Sequence, residues 1–221
     1  MATAKQRFFS IVLVGGQNPQ ILNHDFLVAN SVLPDTEPFV RQKGKEKDNP
    51  FTDFFSSPPV ARIAYGNYSI LVQQDRYQAM DTTGADSTQT PIIGITKKYF
   101  GEVLEYTPFT LGGLNLNCEL TFKADEERKL DELLGLDHNR VRDAFACDNA
   151  VVSLTTAFPF LAGRLLIGVA KPKEADKPST VNFNYEFPYP GNMKEFLANL
   201  DFVTKLVEYQ SSFYERIGVS K

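Results

Sequence analysis

A chain of 221 residues, 43% of them apolar and 23% charged, is long enough to bury a core without disulfide or metal staples. Its formal charge of −4 argues against a protein that coats nucleic acid by bulk charge, since that affinity comes from lysines and arginines neutralising phosphates; a local basic patch is still allowed. Two cysteines, Cys118 and Cys147, lack any paired spacing, which excludes a disulfide framework or zinc ribbon and points to a reducing, cytoplasmic setting.

The first apolar run, Phe8 to Val14, follows Lys5 and Arg7 in the manner of a secretory leader. It is only seven residues long, leads into Gly15-Gly16 and has no small-x-small site after it, so it reads as a buried strand. No stretch approaches the roughly 18 apolar residues of a membrane-spanning helix, and a soluble chain without a membrane role is expected. Residues 24–33 fit a short helix with Asn23 or Asp25 at its start and Pro34 as its stop. From Pro34 to Pro59, five prolines and a run of mixed charges predict a long loop.

Residues 60–65, 68–74 and 77–83 read as three consecutive antiparallel strands, the first two joined at Gly66-Asn67. Thr90-Pro91 supplies a hydroxyl N-cap and a proline for the first helical turn, and Ile92, Ile95, Tyr99, Val103 and Tyr106 recur at helical spacing. A helix over 91–106 is expected, ended by Pro108. Residues 114–122 alternate strictly, with Leu114, Leu116, Cys118, Leu120 and Phe122 on one face and Asn115, Asn117, Glu119 and Thr121 on the other, which is a half-buried strand. An acidic-start helix ending at Gly135 follows, then strands over 151–160, 163–171 and 180–187. Asn192 and Glu195 form a capping-box pair that opens a helix running to Gly218, about 38 Å long at 1.5 Å per residue.

The two halves list the same elements in the same order. The predicted fold is α+β, with two tandem β-α-β-β-β-α units over 1–108 and 109–221 forming curved antiparallel sheets packed on helices, as two domains or as one intimately packed domain. In element order alone it is similar to saddle-shaped sheet proteins of the TATA-binding type and to helix-grip lipid-binding folds, an analogy that imports no activity.

Local catalytic chemistry is sparse. Gly15 and Gly16 are adjacent, and Asn18-Pro19 stands where a phosphate-binding helix would begin, so a turn or bulge is expected instead of a phosphate cradle. His24 and His138 share no local motif with a second strong ligand, and Cys147 has no histidine near it in sequence. The carboxylates of 124–134 fit the solvated face of a helix. No catalytic residue, metal site or cofactor is assigned.

One pattern occurs twice, Asn115-x-Asn117-x-Glu119 and Asn182-x-Asn184-x-Glu186. Each triplet stands on a single strand face, and asparagine is depleted in strands because its amide competes for backbone hydrogen bonds. If the strands share a sheet, six polar groups form one binding patch; the plainer alternative is an ordinary wetted face. Two glutamates with amides carry little charge for calcium or magnesium. In the long loop, Phe51, Phe54 and Phe55 follow Arg41, Lys43, Lys45 and Lys47 and suggest a docking anchor.

The first functional expectation is therefore a non-enzymatic cytoplasmic adaptor that holds a partner, a protein or a second copy in a dimer, on its exposed sheet face and loop. The alternative is a helix-grip-like carrier of a small hydrophobic ligand, which requires a cavity of hundreds of cubic ångströms. A third is an enzyme whose site is assembled from scattered residues.

Overall fold

The alternation in the Asn115-x-Asn117 strand sets the plan of the molecule. In a computed structural model describing residues 2–36, 38–39, 52–56, 59–122, 152–171 and 178–220, this strand lies at the centre of a ten-stranded sheet. The strands are β1 (Ala2–Gly15), β2 (Thr52–Ser56), β3 (Pro59–Tyr65), β4 (Tyr68–Gln73), β5 (Arg76–Asp81), β6 (Phe109–Thr121), β7 (Val152–Phe160), β8 (Gly163–Lys171), β9 (Ser179–Pro188) and β10 (Val219–Ser220). Their order is β2-β3-β4-β5-β1-β6-β9-β8-β7, with β10 added to β1. All neighbours on that path are antiparallel, and only the short β1–β10 pairing is parallel. The path is mirrored about the long β1–β6 pair: β5, β4 and β3 follow on one side, β9, β8 and β7 on the other.

One face of this sheet is dry because every second residue is apolar. Leu114, Leu116, Cys118 and Leu120 of β6 are at most 1% exposed, as are Phe9, Ile11 and Leu13 of β1 and Val181, Phe183, Tyr185 and Phe187 of β9. The helices α1 (His24–Ala29), α2 (Pro91–Lys98), α3 (Met193–Ala198) and α4 (Val203–Ile217) contribute Leu27, Ile92, Ile95, Phe196, Leu206 and Tyr214 to the same cluster. An aromatic seam joins the two halves. Tyr77 meets Phe100 (4.8 Å between ring centres), Phe100 meets Phe109 (4.9 Å), Phe109 stacks on Phe196 (5.2 Å), and Phe196 touches Phe187 (5.4 Å). Phe9, Phe100, Phe109, Phe183, Phe187 and Phe196 thus fill the sheet–helix interface. No helix among the described residues is long and apolar enough to cross a membrane.

Several elements differ from their sequence signals, each for a local reason. Thr52–Ser56, inside the expected loop, is the edge strand β2, in register with β3 from Thr52↔Ile63 to Ser56↔Pro59; an edge is where prolines can flank a strand. Helix α1 stops at Ala29, capped by Asn23, whose Oδ1 accepts from the Phe26 amide (2.8 Å). Helix α2 stops at Lys98 and passes into a π turn, Tyr99–Val103, which brings the adjacent Tyr99 and Phe100 both into the core, 1% and 0% exposed. Thr90 does not cap α2; its hydroxyl instead donates to Asp81 Oδ2 (2.6 Å). The C-terminal helix is not one rod. Asn199 donates its side-chain amide to the carbonyls of Glu195 (3.0 Å) and Phe196 (3.2 Å) and accepts from Tyr185 Oη (3.2 Å). That competition with the main chain coincides with a 3-10 turn over Asn199–Phe202 between α3 and α4. Asn192 does accept from the Glu195 amide (2.8 Å) at the start of α3.

The glycine pair needs no anion to explain it. The Gly15 amide donates to Asp75 O (2.9 Å) and the Gly16 amide to Pro108 O (3.1 Å), while the β1–β6 register shifts between Val14 and Gly15. A Cβ on Gly15 would lie 2.1 Å from Pro108 O, so glycine is required by close approach of two strands.

Candidate functional site

The two polar triplets lie side by side. Strands β6 and β9 pair antiparallel with Asn115 opposite Asn184 and Asn117 opposite Asn182, while Glu119 faces Thr180 and Glu186 faces Gly113. Four amides therefore form a ladder on the wetted face, with one glutamate at each end. From 113 to 119 this spans about 20 Å at strand rise. Asn117 Nδ2 donates to Asn182 Oδ1, and Asn184 Nδ2 donates to Glu186 Oε1 (3.0 Å).

Both carboxylates are engaged by arginines that the sequence patterns did not single out. Arg164 of β8 places Nε and a terminal nitrogen each 2.7 Å from Glu186 Oε2. Arg7, at a register shift in β1, places Nε 3.2 Å from Glu119 Oε1. Arg164 stands opposite Glu186 in the β8–β9 register, so this partnership becomes visible only once strand pairing is known. With its charges paired, the ladder presents hydrogen-bonding amides and not a cation cage. Among the described residues no group of three or more His, Cys, Asp or Glu is placed to hold a metal ion.

Small residues surround the amides. Ser10 of β1 opposes Asn115, and Gly168 of β8 opposes Asn182, while Gly113 lies where an added Cβ would come 3.4 Å from Asn184 Oδ1. The rim is apolar and half-buried, formed by Phe8, Val12, Leu111 and Leu166. The result is a shallow polar trough with apolar sides, a relief that lets another backbone approach closely.

The aromatic anchor is not brought to this ladder. Phe51 lies outside the described residues, and Phe54 and Phe55 are on β2, separated from β6 by β3, β4, β5 and β1, a span of about 24 Å at the usual strand spacing. His138 and Cys147 also lie outside the described residues. His24 is buried, 7% exposed, with Nδ1 3.1 Å from Tyr65 Oη, and ties α1 to β3.

On the opposite, dry face a cavity of about 370 Å³ opens between the sheet and α4. Gln6 of β1 and Cys118 of β6 form its floor, Val207, Gln210 and Tyr214 of α4 its roof, and the 84–86 loop its mouth. Burial pushes the Tyr214 hydroxyl well above the ordinary tyrosine range, with the neighbouring Cys118 adding to the effect. Tyr214 therefore stays protonated and neutral. No protein-family model matches the chain, and no curated protein matches it in sequence.

Proposed function

We propose that the chain is a non-enzymatic binding protein that holds a partner, a protein or a second copy of itself, against the trough on β1, β6, β9 and β8. One observation carries the reading: two asparagine pairs stand in register on the wetted face of central strands, where asparagine is a costly choice and threonine or valine would serve the fold better. Small neighbours and an apolar rim give that surface the mix of apolar and hydrogen-bonding groups typical of non-obligate interfaces. The mirrored strand order supports a duplicated ancestry, with 1–108 and 109–221 as two like units. A cytoplasmic setting rests on the sequence, which holds two cysteines with no paired spacing.

The test replaces Asn115, Asn117, Asn182 and Asn184 together by threonine, which keeps strand preference and removes the amides. Native mass spectrometry of gently purified wild-type chain is expected to show a bound partner chain or a second copy. The quadruple variant, with an unchanged circular-dichroism melt, is expected to lose it. A variant that retains the same complex overturns the reading.

The cavity under α4 favours a second reading, a carrier of a small ligand with α4 closing over the sheet. Its volume falls within the range of small-molecule sites. A mass adduct on the wild-type chain that is absent from Val207→Trp, which fills the space, supports it; no adduct on either chain removes the support.

A further inference from the structure

The amide side chains that line the cavity are not balanced between donors and acceptors. Gln6 uses both hydrogens of its side-chain amide on the protein, donating to Ala85 O (2.8 Å) and Ser87 Oγ (2.9 Å). Gln210, only 3% exposed, does the same, donating to Cys118 Sγ (2.9 Å) and Tyr214 Oη (3.2 Å). Each amide is left with its carbonyl oxygen, and neither oxygen has a donor among the described residues. Neither is sealed away from accessible space, since Gln17 Nε2 is the buried side-chain atom without a partner among those residues. Both residues line the cavity.

The charge at the mouth has the same sense. Asp86, an exposed residue of the lining, caps the 3-10 turn through one carboxylate oxygen, which accepts from the Thr88 amide (2.9 Å). The described lining contains no lysine, arginine or histidine. Side-chain acceptors and one negative charge thus belong to a lining whose other side chains, Ala4, Ala85, Val207 and Cys118, are apolar, with Tyr214 alongside and Gly84 at the mouth. A group rich in N–H donors and carrying positive charge satisfies all of these at once, through charge-assisted hydrogen bonds at the head and apolar contact along the body. An aromatic wall adds attraction for the same charge.

We propose that this cavity binds a small organic ammonium, a primary amine with a short apolar body, with Gln6 and Gln210 accepting from its head group and Asp86 compensating its charge. The space holds about a dozen water-sized groups, which sets the scale of the molecule. The inference rests on the carrier reading and narrows its ligand from a hydrophobic molecule to a cationic amphiphile.

Three probes of one size and different heads decide it: 2-phenylethylamine, 2-phenylethanol and phenylacetate, each titrated calorimetrically into the 221-residue chain at neutral pH. The amine is expected to bind at least about tenfold more tightly than the alcohol, with phenylacetate weakest. Asp86→Asn, at an exposed position, is expected to bring the amine down towards the alcohol. Gln210→Leu is expected to weaken the amine about tenfold or more. If the alcohol binds as well as the amine and Gln210→Leu weakens both, the carrier reading stands and the ammonium assignment falls. If no probe binds at millimolar concentration, both fall. If Gln210→Leu fails to fold, the Asp86→Asn result alone decides, and an unchanged amine preference overturns the assignment.

Discussion

Asn117 donates its side-chain amide to Asn182 across the β6–β9 pair, and the next rung, Asn115 opposite Asn184, stands on the same face of the same two strands. A hydrogen bond on a wetted surface exchanges with water at little net gain, so the pairing gives the fold slight benefit.

Replacing Asn117 and Asn182 together by threonine is accordingly expected to change folding stability by less than about 0.5 kcal/mol, as surface substitutions do. Threonine's strand preference offsets the lost bond. Urea unfolding measures this, and a loss above about 1.5 kcal/mol would mark the amides as structural.

The dry side of the same strand behaves oppositely. Leu116 is fully buried between Phe9 of β1 and Phe183 of β9. Leu116→Ala is expected to cost about 2–5 kcal/mol through lost transfer energy and a residual cavity, seen as a lower urea midpoint at an unchanged slope.

Two glycines separate close approach from helix propensity. Gly15→Ala places a Cβ 2.1 Å from Pro108 O and 2.7 Å from Phe109 Cα, both backbone atoms that cannot swing aside, and is expected to destabilise by about 1–3 kcal/mol. Gly94, exposed within α2, has nothing within 4 Å of the added carbon, and Gly94→Ala is expected to stabilise by about 1 kcal/mol. Thermal melts of the two variants should move in opposite directions.

Alkaline pH should unfold the chain through its core tyrosines. Tyr77, Tyr99 and Tyr214 are at most 2% exposed, and burial raises the pKa of each from its ordinary value of 10.0. In the unfolded chain they ionise near that value, so above it the unfolded state holds fewer protons than the native one. Their contribution is therefore complete below about pH 10 and is lost as pH rises, by about 1.4 kcal/mol per pH unit for each buried tyrosine. Urea midpoints between pH 9 and pH 11, followed with phenolate absorbance, check this. A folded protein in which all nine tyrosines titrate near pH 10 would refute it.

Much of the fold was legible because its strands are one-sided. Leu114 to Phe122 could be read residue by residue, since an antiparallel sheet wetted on one face alternates apolar and polar side chains. The β3-β4-β5 meander was marked by its turns. What escaped depended on partners distant in sequence. Thr52–Ser56 looked like loop because prolines flank it, and only pairing with β3 makes it a strand. Asn199, bonded to the Glu195 and Phe196 carbonyls and to Tyr185, sits where the terminal helix breaks, and the Tyr99-Phe100 π turn answers a core on two sides. The ladder residues were visible in sequence, but Arg7 and Arg164, which pair both of its glutamates, depend on strand register. Gln6 and Gln210 line one cavity although they are over two hundred positions apart, a proximity no local pattern encodes.

The partner-binding account is tested most directly by hydroxyl-radical footprinting of the full-length chain, free and with the partner or second copy that remains bound on gentle purification. Phe8, Leu111 and Leu166, the oxidisable rim of the amide trough, should be protected in the complex. Tyr209 and Phe213, on the helix side, should react equally in both. Protection confined to the helix side, or a chain that holds neither partner nor second copy, would contradict the account.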